Sequence, residues 1–239
     1  MVMADSALDS FSLANSPSGA FLSANEARVL GVLIEKEITT PDYYPMTLNG
    51  LTAACNQKSN RDPVVQLSDS DVQQAFDGAR KKSLARLVDE GASRVPKYRQ
   101  RVTETLHLTP PQTALLCELL LRGAQTLGEL RSRAERMHSF ASLTEVESVL
   151  AELSSGEHEG GRIAGTPLVT RLPRQVGQKE ARFMHLLCGP PNIDQDLPSE
   201  MFVRAEAERI GVLEREIGAL KQELSSLQEE FRSFKRQFE

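Results

Sequence analysis

Between Leu22 and Leu187, hydrophobic positions follow a helical period in three successive stretches and then alternate in two short ones. The whole series occurs twice. Leu22-Ser-Ala-Asn-Glu-Ala-Arg-Val-Leu-Gly-Val-Leu33 aligns with Leu108-Thr-Pro-Pro-Gln-Thr-Ala-Leu-Leu-Cys-Glu-Leu119. Both open with a capping-box pattern, Ser23 with Glu26 and Thr109 with Gln112, where a hydroxyl covers a free helix N–H and the longer side chain reaches back. Apolar residues follow at helix spacing: Ala27, Leu30 and Ile34 in one copy, and Leu115, Leu116, Leu119 and Leu120 in the other. Thr47-Leu-Asn-Gly-Leu51 matches Thr126-Leu-Gly-Glu-Leu130, and Ser68-Asp-Ser-Asp-Val72 matches Ser142-Leu-Thr-Glu-Val146. Phe76 and Ala79 correspond to Leu150 and Leu153. Strand-like pieces close each copy, Ala85–Val88 with Arg94–Val102 and Leu168–Leu172 with Ala181–Leu187. Three short helices and a hairpin in about 80–90 residues predict a winged helix-turn-helix unit. The chain is thus read as mainly α with small β-hairpins, an α+β class, with two such units in tandem over 21–104 and 105–189.

The copies differ in their loops. Matched positions are 86 residues apart at the first helix, 79 at the second and 74 at the third. The first copy therefore carries extra residues around Thr39-Thr-Pro-Asp-Tyr-Tyr-Pro45 and Asn56-Gln-Lys-Ser-Asn-Arg-Asp-Pro63. The second carries them before its hairpin, in Ser154-Ser-Gly-Glu-His-Glu-Gly-Gly161. Loops added to a scaffold are common seats of function, although prolines 41, 45 and 63 could also serve only to shape connections.

Outside the repeat, residues 1–20 are Ser-rich, with neither a basic start nor an apolar run, and read as a disordered tail rather than a signal peptide. Residues 190–199 form a Pro- and Asp-containing linker. The segment 200–239 then holds a heptad pattern. Ile210, Ile217, Leu224, Phe231 and Phe238 fall at a, and Leu213, Leu220, Leu227 and Phe234 at d, over about 43 Å of helix. In a parallel pair, Glu216 would face Lys221 and Glu230 would face Lys235, so a homodimer through Ile210, Leu213, Ile217, Leu220, Leu224, Leu227, Phe231 and Phe234 is expected. Phenylalanines near its end could splay this core or raise the order of the oligomer.

Charge changes the picture by its placement. The net charge is −5, which does not by itself advertise a nucleic-acid binder. Residues 1–79 hold 4 basic and 10 acidic residues, whereas 80–182 hold 17 basic and 12 acidic. An anionic partner would meet the middle of the chain. The first hairpin is its densest patch, with Arg94, Lys97, Arg99 and Arg101 around Tyr98. The second copy adds Arg131, Arg133, Arg136, Arg171, Arg174, Lys179 and Arg182. Against this, the third helices open with Ser68-Asp-Ser-Asp71 and with Glu145 and Glu147, which suits the helix dipole but repels phosphates.

Composition excludes more than it selects. There is no Trp, no apolar run near the ~20 residues that span a bilayer, no P-loop and no GxGxxG or GxSxG motif. The cysteines, 55, 117 and 188, form no CxxC pair, which fits a reducing cytoplasm. His107, His138, His158 and His185 stand apart from one another and from ligand-spaced partners. No catalytic residue, cofactor or metal is expected.

Two functions compete. A DNA-binding regulator would use Arg80, Lys81, Arg94, Lys97, Arg99 and Arg101 on phosphates, with Gln73 and Gln74 reading bases. A protein-binding scaffold would use Asn56, Gln57, Lys58, Asn60 and Arg61 of the inserted loop.

The strings Thr39-Thr-Pro-Asp-Tyr-Tyr-Pro45, Ala54-Cys-Asn-Gln-Lys-Ser-Asn-Arg-Asp-Pro-Val64, Leu121-Arg-Gly-Ala-Gln-Thr126, Gly128-Glu-Leu-Arg-Ser-Arg133 and Met184-His-Leu186 resemble the YceH family of bacterial proteins, from about Leu22 to Gly189. The resemblance implies a tandem winged-helix architecture and a bacterial cytoplasm, with no reaction and no ligand. Leu127 departs from the Pro expected at that helix start.

Overall fold

A computed structural model of the chain describes residues 21–88, 95–156, 166–174, 178 and 180–191. The tail, the hairpin tips, the linker and the heptad segment lie outside the described residues, and with them fall Arg94 and every expected dimer contact. The chain divides into two compact units, ending at Pro191 and beginning at Asn192, and the described residues all belong to the first. That unit mixes helices with small antiparallel sheets.

Helix α1, Ala24–Thr39, starts at the Ser23–Glu26 box, where the Glu26 N–H donates to Ser23 Oγ at 3.2 Å and the Ser23 N–H to Glu26 Oε2 at 2.7 Å. A 3-10 turn, Pro41–Tyr43, leads to α2, Leu48–Cys55, capped by Thr47 Oγ1 on the Gly50 N–H. Helix α3, Asp69–Lys81, has the Ser68–Asp71 box. Strands β1, Ala85–Val88, and β2, Lys97–Gln100, pair antiparallel with Arg86 opposite Arg99 and Leu87 opposite Tyr98. Met46 adds a bridge to Tyr98 on the other edge of β2.

The second series repeats this order. Helix α5, Pro110–Arg122, follows the short α4, Val102–Leu106. Strand β3, Gln125–Thr126, precedes α6, Leu127–Ala134, and α7, Leu143–Ser155. Strands β4, Val169–Arg171, and β5, Arg182–His185, then form a sheet in the order β3-β5-β4. Thr126 Oγ1 accepts from the Glu129 N–H, and Ser142 Oγ from the Glu145 N–H.

Two details differ from the sequence reading. The expected strand Arg94–Val102 stops at Gln100, because the Gln100 side chain accepts the Thr103 N–H at 3.2 Å and so opens α4. Strand β3 was not anticipated; two residues are too few to show alternation.

The core runs through both series without a break. Val29, Val32, Leu33 and Ile34 of α1 and Ala114, Leu115, Leu116 and Leu119 of α5 are wholly buried. An apolar surface on all sides marks a helix enclosed by others. Helices α1 and α5 meet closely at Gly31, where an added Cβ would lie 2.9 Å from Leu121 and 3.1 Å from Leu120. The Cys117 S–H donates to the Gly31 carbonyl at 3.2 Å.

Candidate functional site

The inserted loop of the first series folds inward. The Asn56 side chain exchanges two hydrogen bonds with the Leu67 backbone, at 2.8 and 2.7 Å, which closes the segment between α2 and α3. The Arg61 guanidinium is completely buried beneath it, 2.6 Å from Glu35 Oε2. It also donates to Ala54 O at 3.1 and 3.2 Å, to Asn60 O at 2.7 Å and to Gln57 Oε1 at 3.1 Å. Asn60 has a left-handed backbone, φ 58°, which Asn tolerates better than most residues. Its Oδ1 accepts from Arg122 Nη2 of α5 at 2.6 Å. The loop is thereby anchored to both series.

Two carboxylates face this junction and titrate in opposite directions. Burial alone would raise the Glu35 carboxyl, but hydrogen bonds and charge from Arg61 outweigh it and hold the group below its ordinary range. Burial raises Glu118, helped by the Glu35 charge and opposed by Arg122, whose Nε lies 3.0 Å away but outside hydrogen-bonding geometry. Beside them opens a cavity of about 370 Å³, lined by Glu35, Lys36, Gln57, Ser59, Asn60 and Arg136 among others.

The residues nominated for DNA scatter in their engagements. Gln73 donates to Asp77 and accepts from the Tyr98 hydroxyl, whereas Gln74 is exposed. Arg80 pairs with Asp77 at 3.3 Å, Arg101 with Glu104 at 3.2 Å, and Arg99 with Glu37 at 3.4 Å and Glu104 at 3.8 Å. Lys81 is exposed and Lys97 half-buried on the outer face of β2, beside exposed Arg86 on β1. Of the loop residues, Asn56, Gln57, Asn60 and Arg61 are taken up inside the fold, and Lys58 is exposed.

In the second series, Arg131 donates to the Phe140 and Ala141 carbonyls, and Arg133 to Gln125 and Glu129. Helix α7 presents Thr144, Glu147, Ser148, Ala151 and Glu152 outward and contains neither Lys nor Arg. An open groove of about 750 Å³ runs between the start of α1 and α3, bordered by Asn25, Glu26, Asp71, Gln74, Asp77 and Lys81. Carboxylates outnumber cations there.

The thiols of Cys55, Cys117 and Cys188 are unpaired, and burial pushes Cys55 and Cys188 up to about 12 and 11, so neither is a ready nucleophile. His185 is buried in β5 with its Nδ1 unpartnered. Among the described residues, no helix is long and apolar enough to cross a membrane.

Glu35 and Glu37, which hold Arg61 and Arg99, drew no attention in the sequence, because each sits far along the chain from its arginine, and Glu118 lies inside an apolar helix. A capping pattern betrays a carboxylate at short range; Glu35 and Glu37 reach Arg61 and Arg99 from another element.

Comparison with known proteins places this arrangement. The profile of a family described as "Protein of unknown function, DUF480" matches residues 22–178. A UPF0502 protein of Geobacter sulfurreducens is 54% identical over 198 residues, which cover 80% of this chain and 86% of the relative. One from Pelobacter propionicus is 57% identical over 181 residues, covering 76% and 78%. One from Serratia proteamaculans is 48% identical over 202 residues, covering 82% and 90%.

Proposed function

The chain belongs to the DUF480 family, and on that premise we propose that it is a non-enzymatic protein-binding module. In this reading, winged helix-turn-helix units over 21–104 and 105–189 are followed by a linker over 190–199 and a coiled coil over 200–239 that pairs two chains. The order helix, strand or bridge, two helices and an antiparallel pair, present in both series, supports the winged units.

The observation that carries the binding mode is the charge of the third helices. A winged helix that reads DNA sets its third helix against a phosphate-lined groove. Here α7 offers Glu147 and Glu152 and no cation, and α3 opens with Asp69 and Asp71. Three nominated arginines, Arg80, Arg99 and Arg101, already lie against carboxylates of their own chain. Such faces repel a polyanion and attract a partner protein that presents Lys and Arg. The acidic groove beside α3 fits the same partner.

DNA binding is the second reading, favoured by Arg86, Lys81 and Lys97, which have no carboxylate partner among the described residues, and by the weakness of exposed ion pairs, which a phosphate can displace.

Fluorescence anisotropy with a random-sequence duplex at low salt separates the two. The wild-type chain is expected to show no saturable binding, and Glu147→Lys with Glu152→Lys to gain it. In cross-linking inside cells, the same double substitution is expected to lose the captured partners. Tight wild-type binding to the duplex, falling steeply with salt, would establish the DNA reading instead.

A further inference from the structure

We propose that the cavity at the junction of the inserted loop, α1 and α6–α7 binds a phosphate group of a small molecule. The inference comes from counting the hydrogen-bonding capacity that its lining has not spent.

Guanidinium groups only donate, so the amide atom that faces one must be oxygen. Gln57 Oε1 lies 3.1 Å from Arg61 Nη2, and Asn60 Oδ1 lies 2.6 Å from Arg122 Nη2. Buried Arg61 and half-buried Arg122 therefore fix the flip of both amides and leave their NH2 ends over. Among the described residues neither NH2 has a partner, and neither is sealed from solvent. Lys36 Nζ touches Gln57 Oε1 and Glu35 Oε2 only at 3.5 Å, which leaves donor capacity. Arg136 is exposed, forms no ion pair or hydrogen bond within the described residues, and lends its charge to the field at Glu35.

The charged acceptor of the lining is taken. Glu35 is occupied by Arg61 and Lys36. Two carbonyls in the last turns of α1 carry an added hydroxyl: Thr39 Oγ1 donates to Glu35 O at 2.8 Å and Thr40 Oγ1 to Lys36 O at 3.1 Å. The surplus is thus cationic and donor-rich, with Lys36, Arg136, Ser59 and two amide NH2 groups around one space. A carboxylate would satisfy two such directions. A phosphate, with three terminal oxygens and up to two charges, satisfies all of them. About 370 Å³ admits a small phosphorylated molecule, at the lower end of ligand-site volumes.

The test is titration of the full chain with inorganic phosphate, followed by the side-chain NH2 signals of Gln57 and Asn60 in 15N–1H spectra, with chloride holding ionic strength constant. Both signals are expected to move saturably with phosphate and far less with acetate. Arg136→Ala should weaken the titration roughly tenfold, the scale of one charge-assisted hydrogen bond, while the rest of the spectrum stays in place. Arg136→Lys should recover part of the loss. An equal response to acetate would overturn the phosphate assignment. No saturable movement of the two amides, or identical titrations of wild type and Arg136→Ala, would overturn the site.

Discussion

Replacing Arg61 by Ala tests whether the inserted loop is held by its buried charge. The substitution removes both hydrogen bonds to Glu35, at 2.6 and 3.3 Å, and two to Ala54 O. The Glu35 carboxylate is left with Lys36 at 3.5 Å. Breaking a buried pair from one side costs about 3–5 kcal/mol, and an orphaned carbonyl adds about 1–3 kcal/mol where water cannot reach it. The adjoining cavity lets water in, so a total of about 4 kcal/mol is expected, a large share of the ~5–15 kcal/mol of a typical domain. Urea unfolding followed by tyrosine fluorescence suits the question, because all three tyrosines, 43, 44 and 98, lie in the first series. The midpoint should fall by about 2 M, for a slope near ~2 kcal/mol per M. The loss must also depend on pH. In the wild type, the lowered Glu35 carboxyl contributes stability above its ordinary value of 4.5, lost as pH falls through the native value. In Arg61→Ala the unpaired carboxyl is raised, and protonation relieves it. The gap between the two proteins therefore narrows from pH 7 towards 4.5. Changing Glu35 and Arg61 together to Met should recover at least ~2 kcal/mol. A loss below ~1 kcal/mol at pH 7, or a gap that ignores pH, would refute the reasoning.

Other expectations follow from single contacts. A Cβ at Gly78 would collide with the Glu26 carboxylate, which caps Ser23 and pairs with Lys82, whereas one at Gly128 meets nothing within 4 Å. Gly78→Ala should thus cost about 1 kcal/mol and Gly128→Ala stabilise by several tenths to ~1 kcal/mol; melting temperatures moving the same way would contradict this. Burial pushes the His185 imidazole down to about 4, so folding loses stability as pH drops from 6.5 towards that value, by up to about 3 kcal/mol. His185→Leu should flatten this acid limb, and an unchanged limb in pH-dependent unfolding would count against it. In the heptad segment, Leu220→Lys should halve the mass seen by analytical ultracentrifugation; an unaltered mass would remove the coiled-coil dimer.

Local chemistry was the legible part of the sequence. Ser23, Thr47, Ser68, Thr126 and Ser142 announced their helices because a cap and its partner lie within one turn. Strand β1 fell where alternation placed it. Helix α4 was hidden behind a basic run that alternates up to its start, since the deciding bond comes from the Gln100 side chain. The insert was visible as extra length, but composition cannot show whether Arg61 points outward or inward. That depends on Glu35, 26 residues earlier on a helix whose buried face is nearly continuous. The basic hairpin was legible as a run of cations and misleading as a field, because Glu37 and Glu104 approach it from α1 and α4.

The contact between Cys117 and Gly31 spans 86 residues, the same offset that aligns the first helices of the two series. Each of these positions therefore rests on its own counterpart. Because α1 and α5 belong to one chain, the two faces meet at a fixed ratio and high mutual concentration. Cutting the polypeptide just before Leu108 would leave each fragment baring the helix face that the other now covers.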